Sequence, residues 1–335
     1  MTIRELADRA GLSVATVDRA LNNRANIRQR NLDRIQEALS GLAEEVGLPV
    51  EQYNFHFLTG ADPRFTQAQK SFVDTFIPVW RQNGVQLHFK MCGQSGDETA
   101  EMLNALSSET DGVILDVEDS AAVGSAVDRL IEMGIPVATV FADISNSKRN
   151  YYVGADNFAV GATAGFLMGV ALQGTSEEIV LFVGSAFNRS LSEREMGFRA
   201  YLRENNPRIK VTEVIQSKFD AEESYELAKD FLTRSPSTTG IYGIGSQAEG
   251  IGRAIKELDL SNKITYIDHE IYPGAEWLLK EGIMRFSLTQ DLNLAMRISV
   301  ERLYGHYSGE TSEAVTLTPV NIITKYNLTK NFVTS

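Results

Sequence analysis

The spacing richest in possible chemistry is Gly243-Ile244-Gly245-Ser246-Gln247-Ala248, which follows an apolar run and opens a helical one. Glycines so placed let a backbone turn closely around a pyrophosphate, and Asp268, twenty residues past Ala248, could accept from a ribose hydroxyl. A complete dinucleotide site needs a second mononucleotide-binding half. Only about 65 residues follow Asp268, too few to build it, so no nicotinamide cofactor is expected. His269-Glu270 begins the zinc pattern His-Glu-x-x-His, but Pro273 stands where the second imidazole belongs. His56, His88, His269 and His306 are scattered, and no serine sits in a Gly-x-Ser-x-Gly elbow. Asp116 and Glu118 read as helix caps or pocket carboxylates rather than a catalytic pair. The expectation is a protein without covalent chemistry, cofactor or metal.

These residues must be positioned by an alternating α/β framework. From Asn54 onward, apolar runs at 54–59, 85–91, 112–116, 136–141, 179–184, 210–215, 240–244, 264–268 and 284–289 are separated mostly by helical stretches. That alternation predicts parallel sheets covered by helices on both faces. Nine strands in about 280 residues predict two doubly wound sheets. Ligands of such sheets bind beyond the carboxyl ends of the strands. The loops 60–65, 116–119, 142–147, 185–194, 245–249, 268–272 and 290–293 therefore form the walls of one cleft, with Asp62, Phe65 and Asp116 among the candidates. Phe65, Phe141, Phe187 and Trp277 lie in or beside these loops, where a ring could stack on an apolar face of a ligand.

Residues 1–46 carry a different pattern, helical throughout. Thr2-Ile3-Arg4-Glu5 fits a capping box, followed by Ile3, Leu6, Ala7 and Ala10 at helical spacing. Gly11 ends that helix, and Ser13 caps a second one that runs to about Leu21. A third runs from about Arg28 to Val46. Two short helices joined by Gly11-Leu12-Ser13 form a helix-turn-helix, whose second helix offers Val14, Ala15, Asp18 and Arg19 to a major groove. Arg19 suits guanine or phosphate, and Asn22 and Arg28 suit the phosphate backbone. Charge agrees. Residues 1–34 hold seven arginines and four acids, a net +3, while the whole chain carries −12, so the remainder carries −15. A small basic module on an acidic body is the pattern of a DNA reader with a sensor. The single cysteine, Cys92, permits no internal disulfide and fits a reducing cytoplasm. The most apolar stretch, 163–172, is too short to cross a bilayer, which needs about 20 residues.

The run Thr2 to Asn22 resembles the headpiece of the LacI/GalR family of repressors, with its Ala10-Gly11-Leu12-Ser13 turn, Thr16-Val17 pair, Arg19 and Asn22. The resemblance implies that Val14, Ala15 and Arg19 read bases while Thr2, Ser13, Thr16 and Asn22 hold phosphates. Tyr152-Val153-Gly154-Ala155-Asp156-Asn157, with Gly161 and Ala164-Gly165, is similar to the crossover segment of that family's effector domain, shared with periplasmic sugar-binding proteins. Glu193-Arg194-Glu195-Met196-Gly197-Phe198 resembles the segment that supplies a sugar-binding arginine. By that likeness Arg194 clamps the sugar, Asp268 accepts from its hydroxyls, Gln247 and Gln290 contact it, and Asp143 is the N-lobe carboxylate. Two departures stand out. Asp18 replaces the usual serine, and Gly47-Leu48-Pro49-Val50-Glu51-Gln52-Tyr53 leads almost directly into the first strand with no hinge helix evident.

The expected organisation is an all-α helix-turn-helix module at 1–48, a linker at 49–53, and a two-lobed periplasmic-binding-protein-like α/β domain at 54–335. Its N-lobe takes about 54–155 and 290–312, its C-lobe about 156–289 and 313–335. The expected function is a cytoplasmic homodimeric repressor on double-stranded operator DNA, controlled by a small sugar or polyol, a mono- or disaccharide. The alternative is the periplasmic-type sugar-binding protein of a transport system.

Overall fold

The computed structural model describes residues 3–21, the helical residues 31, 34, 35 and 38, and residues 52–329 apart from 94, 145, 175, 185–188, 218–219, 246 and 310–311. At the N-terminus, the helices Ile3–Ala10 and Val14–Leu21 meet at a turn that needs Gly11, whose φ is +60°. Leu6, Ala7, Ala10, Val17, Ile35 and Ala38 are buried together, which fixes one helix across the other.

The rest is two six-stranded sheets. The first contains β1 (Tyr53–Thr59), β2 (Val85–Met91), β3 (Gly112–Asp116), β4 (Val137–Val140), β5 (Tyr151–Gly154) and β11 (Val315–Leu317), in the order β11-β5-β4-β3-β1-β2. The second contains β6 (Glu177–Val183), β7 (Ile209–Gln216), β8 (Thr238–Ile244), β9 (Thr265–His269), β10 (Met284–Gln290) and β12 (Val320–Ile323), in the order β12-β10-β9-β8-β6-β7. Every pairing is parallel except β10 with β12. β3 and β4 are buried at every residue because helices cover both faces, which is why they read as unbroken apolar runs.

In the N-lobe, Phe55 and Phe57 of β1 pack under the helices Pro63–Gln82 and Leu292–Tyr307, through Phe72, Val73, Trp80 and Leu303. On the other face, Leu58 and Leu115 meet Leu103, Val123, Val127 and Leu130 of the helices Gly96–Asn104 and Ala121–Glu132. The C-lobe is built likewise. Helices Asn157–Ala171 and Arg189–Asn205 cover one face, and Ala221–Arg234, Ala248–Glu257 and Glu276–Lys280 the other.

Three strands join the nine expected: β5, β11 and β12. β4 stops at Val140 rather than 141 because Phe141 has φ +61° and leaves the strand. The expected boundaries also shift. Tyr53, placed in the linker, already pairs with Val85. The sequence places 313–335 in the C-lobe, but Val315–Leu317 pairs with Tyr152–Gly154 in the N-lobe sheet, so the last crossing falls at Thr318-Pro319. Residues 39–51, where the hinge helix is at issue, lie outside the described residues.

One contact sets the C-lobe geometry. A Cβ on Gly161 would lie 1.9 Å from the Arg194 carbonyl oxygen, and one on Gly197 would lie 2.0 Å from that of Phe158. Helices Asn157–Ala171 and Arg189–Asn205 therefore touch backbone to backbone. Gly161→Ala must push them apart, and overpacking of this kind costs about 1–3 kcal/mol. Urea unfolding of the variant should show that loss with an unchanged dependence on denaturant.

Candidate functional site

Each sheet sends its strand carboxyl ends toward the same cleft, a space of about 660 Å³ that is open to solvent. From the N-lobe come Ala61, Asp62, Arg64 and Phe65 after β1, Asp116 ending β3 and Phe141 after β4. The C-lobe supplies Ser190, Leu191 and Arg194 from the first turns of the helix Arg189–Asn205, Gly245 after β8, and His269, Glu270 and Tyr272 at and after the end of β9. Gln290 ends β10, at the second crossing. Phe141 and Glu270 both adopt positive φ, +61° and +55°. Side chains other than glycine rarely hold that conformation, and it collects where a site requires it.

Arg194 is 6 % exposed. Its Nε donates to Asn157 Oδ1 at 2.9 Å, and Asn157 Nδ2 donates in turn to the Phe141 carbonyl at 3.3 Å. The fork is thus oriented by a residue of the neighbouring helix and tied to the other lobe. Asp116 is buried, and burial pushes its carboxyl from an ordinary 3.8 up to about 7 against the opposing effect of Gln69, whose Nε2 donates at 2.6 Å. Gln69 Oε1 has no hydrogen-bond partner, and neither does Gln290 Oε1 at the cleft. Each is an acceptor, and a bound hydroxyl could serve Gln290.

Burial and the nearby Arg194 cation hold His269 well below the usual imidazole range, so it is neutral. It shares a 2.8 Å hydrogen bond with the Tyr242 hydroxyl. Phe65 and Phe141 meet edge to face at 5.0 Å and form the apolar wall. Three contacts tie the lobes together at the rim. Gln247 Nε2 donates to Asp62 Oδ2 at 3.3 Å, the Arg64 guanidinium lies 4.0 Å from the Tyr272 ring centre, and Arg189 pairs with Asp119 at 3.4 Å.

Of the eight effector candidates, Asp62, Phe65, Asp116, Arg194 and Gln290 line the cleft together. Gln247 is 4 % exposed and sits behind Asp62. Asp268 lies beneath the wall, where its carboxylate accepts from the Tyr266 hydroxyl and, at 2.7 Å, from the His269 amide. Asp143 does not join them. The turn at Phe141 carries it away, and it pairs with Arg149 and accepts from Thr139 at 2.8 Å. Asp62 and Asp116 are the N-lobe carboxylates of the cleft. Trp277 lies outside it, under Lys256, and Phe187 lies outside the described residues. Residue type alone did not single out Arg64 and Tyr272, and it raised His269 and Glu270 only as an incomplete zinc pattern, although the loops 60–65 and 268–272 contain all four.

At the N-terminal module, Ser13 Oγ accepts from the Thr16 amide at 3.1 Å and bonds the Thr16 hydroxyl at 2.8 Å, so it caps the helix Val14–Leu21. Val14 and Ala15 are exposed at that helix start. Thr2, Asn22 and Arg28 lie outside the described residues, as do the side chains of Asp18 and Arg19.

The raised Asp116 carboxyl makes stability depend on pH in a definite direction. Between about pH 4 and 7 the folded chain keeps a proton that the unfolded chain has lost, so raising pH through this window destabilises the fold. Asp116→Asn keeps a neutral group there and removes the effect. In denaturant titrations the variant should gain on the wild type by about 1 kcal/mol per pH unit across that window, then level off.

The family of bacterial regulatory proteins, lacI family, matches residues 2–43, and the periplasmic binding protein domain family matches residues 82–311. No curated protein matches the chain. Among solved structures, the fold is similar to an ABC transporter solute binding protein from Burkholderia graminis in complex with D-arabinose. That match has a TM-score of 0.78 at 22 % identity, over 84 % of this chain and 99 % of that one. It is also similar to a glucose-galactose binding protein from Geobacillus stearothermophilus, with TM-score 0.75, 21 % identity, 83 % of this chain and 99 % of that one. A periplasmic solute binding protein from Actinobacillus succinogenes with bound D-allose gives 0.73 and 18 %, over 82 % of this chain and 98 % of that one. No helix among the described residues is long and apolar enough to cross a membrane. The chain belongs to the periplasmic binding protein domain family, and the lacI-type helix-turn-helix in front of that domain gives it the architecture of the LacI/GalR transcription regulators.

Proposed function

We propose that this protein is a repressor that binds double-stranded operator DNA as a homodimer and is controlled by a small sugar or polyol held between its lobes. The observation that carries the reading is the convergence of Arg194, Asp62, Asp116, Glu270 and Gln290 with the Phe65–Phe141 wall in one cleft. Carboxylates and an amide oxygen accept from hydroxyls, and the Arg194 fork donates to several ring or hydroxyl oxygens at once. The rings suit the C–H face of a pyranose. Two cations, Arg64 and Arg194, face three carboxylates, of which Asp116 is half-protonated near neutrality, so the net charge suits an uncharged ligand. The relatives in complex with D-arabinose and D-allose support a monosaccharide of this kind.

The mechanism needs no bond-making. The three rim contacts, Gln247–Asp62, Arg64–Tyr272 and Arg189–Asp119, form only when the lobes are together. A sugar bridging Asp116 and Arg194 adds to them and shifts the population toward the closed state. The headpiece joins the N-lobe next to the start of β1, so a change in lobe angle alters how two headpieces are presented to DNA. One headpiece of under 50 residues has too few contacts for specificity, hence two copies on a near-palindromic site.

A thermal-shift screen of pentoses, hexoses and polyols tests the cleft first. A ligand at 100 times its dissociation constant should add about 2.7 kcal/mol of stability, and the absence of any stabilising sugar would overturn the effector assignment. Arg194→Ala should weaken calorimetric affinity for the hit at least roughly tenfold, because buried oxygens and Asn157 lose their donor. DNA affinity without sugar should stay as it was. Arg19→Ala should leave sugar binding intact and abolish operator preference, a lost bidentate base contact costing about 1–3 kcal/mol per half-site. Unchanged selection of operator from random DNA would remove Arg19 from the reading surface.

A further inference from the structure

The chain passes between the lobes at Ala155-Asp156, at Gln290-Asp291 and at Thr318-Pro319, and one helix engages the strands of all three crossings. Helix Leu292–Tyr307 begins straight after Gln290, which ends β10 at the cleft, and Asp291 caps it by accepting from the Leu294 amide at 2.9 Å. Its Arg302 Nη2 donates at 3.2 Å to Thr316 Oγ1 of β11, the strand before the third crossing. Its His306 Nδ1 shares a 3.2 Å hydrogen bond with the Tyr151 hydroxyl of β5, the strand before the first. Sixteen residues at a helical rise make a rod about 24 Å long. The far end of the rod lies against Tyr53, the first residue of β1, where the body takes up the chain from the headpiece. Tyr53 stacks on Tyr307 at 4.6 Å and meets Tyr304 edge to face at 5.7 Å. The Tyr307 hydroxyl donates to the Asp111 carbonyl, and the Asp111 carboxylate accepts from the Asn54 amide at 2.7 Å. Tyr304 is 42 % exposed and Tyr307 39 %, so these rings form a surface clasp above the core rather than a part of it.

We propose that Tyr53, Tyr304 and Tyr307 are the coupling residues through which effector binding reaches the DNA-binding headpiece, with helix Leu292–Tyr307 as the rod between them and the cleft. The root of the rod is held from the C-lobe. Glu270, a cleft residue, accepts from the Gln290 amide at 3.2 Å through Oε1. A ligand that draws Glu270 and Gln290 toward the N-lobe therefore turns the chain where the helix starts. The rod can respond. Its inward side chains are Ala295, Met296, Ser299, Val300 and Leu303, of which Ala295 and Ser299 are small and Met296 is flexible. Such a face slides a little over a sheet where interlocked large side chains would forbid it, and closure by shear uses sliding of this kind. At the other end, stacked rings shift past one another at little cost but separate only by exposing apolar area to water. Movement of the rod thus carries Tyr53 with it, and with Tyr53 the point from which the headpiece is presented to DNA.

The assignment rests on the reading of the chain as a sugar-controlled repressor, and it names the side chains by which the two ends of that repressor communicate. None of the three tyrosines lines the cleft, so each can be changed without touching the effector.

The coupling is measured as the ratio of operator affinities of the full chain with and without sugar. The probes are an operator selected from random DNA and the sugar that most raises the melting temperature. Tyr53→Leu and Tyr304→Ala should each cut that ratio at least roughly threefold. Tyr307→Phe, which gives up only the hold on the Asp111 carbonyl, should cut it less. Calorimetric sugar affinity without DNA should stay within about twofold of the wild type in all three. By reciprocity the operator must change sugar affinity by the same factor, so sugar titrations with and without operator read the ratio a second time. A purely structural role for the rings would lower the melting temperature and leave the ratio as it was. An unchanged ratio in both Tyr53→Leu and Tyr304→Ala overturns the proposal, as does a ratio lost together with sugar affinity. If sugar does not alter operator affinity in the wild type, the reading as a sugar-controlled repressor fails and the clasp falls with it; if it does and the variants respond like the wild type, only the clasp fails.

Discussion

The backbone contact between the helices Asn157–Ala171 and Arg189–Asn205 is the constraint on which the site depends. Gly161 and Gly197 let each helix rest on a carbonyl of the other, at Arg194 and Phe158. Arg194 can then enter the cleft from a helix wall rather than a loop, with its guanidinium held by Asn157. A side chain with many rotamers becomes a fixed fork because the surface beneath it cannot move.

Around that fixed group the cleft is kept under polar tension. Asp116 lies in a setting that favours its neutral form, and Gln290 Oε1 is buried without a partner. Phe141 and Glu270 occupy backbone conformations that cost about 1–3 kcal/mol each. The surrounding sheets, with β3 and β4 wholly buried, hold them there. A binding site that is partly unsatisfied when alone gains more from a ligand that satisfies it, at the expense of stability without one.

Much of the framework is legible in the sequence, because strands buried on both faces announce themselves as apolar runs. The missing ones are informative. β5, Tyr-Tyr-Val-Gly, is four residues long and carries the crossover resemblance, which masks it as a strand. β11 and β12 are three and four residues long at sheet edges, with exposed positions, and so lack the apolar density of the central strands. The cleft is legible by topology: the loops expected at strand carboxyl ends contain every lining residue but Phe141, which closes the apolar run 136–141. Individual roles are less so. Asp143 sits in the right loop, yet the left-handed turn at Phe141 and the cation of Arg149, six residues on, take it elsewhere. Asp268 ends the right strand with its carboxylate spent on Tyr266 and a backbone amide. Residue type cannot tell a carboxylate facing a ligand from one consumed by its neighbours.

The interleaving of the lobes bears on how the chain is made. The N-lobe sheet lacks its edge strand until Val315–Leu317 arrives, and the C-lobe sheet until Val320–Ile323 does. The helix Leu292–Tyr307, which covers Phe55 and Phe57, is separated from them by well over 200 residues of synthesis. At about 5–20 residues per second, the first strands wait on the ribosome for more than ten seconds before their cover emerges. The N-terminal helices can gather their own small core at once. During translation the protein is therefore a formed reading head followed by an open sheet, and the sensor becomes whole only as its last strands are released.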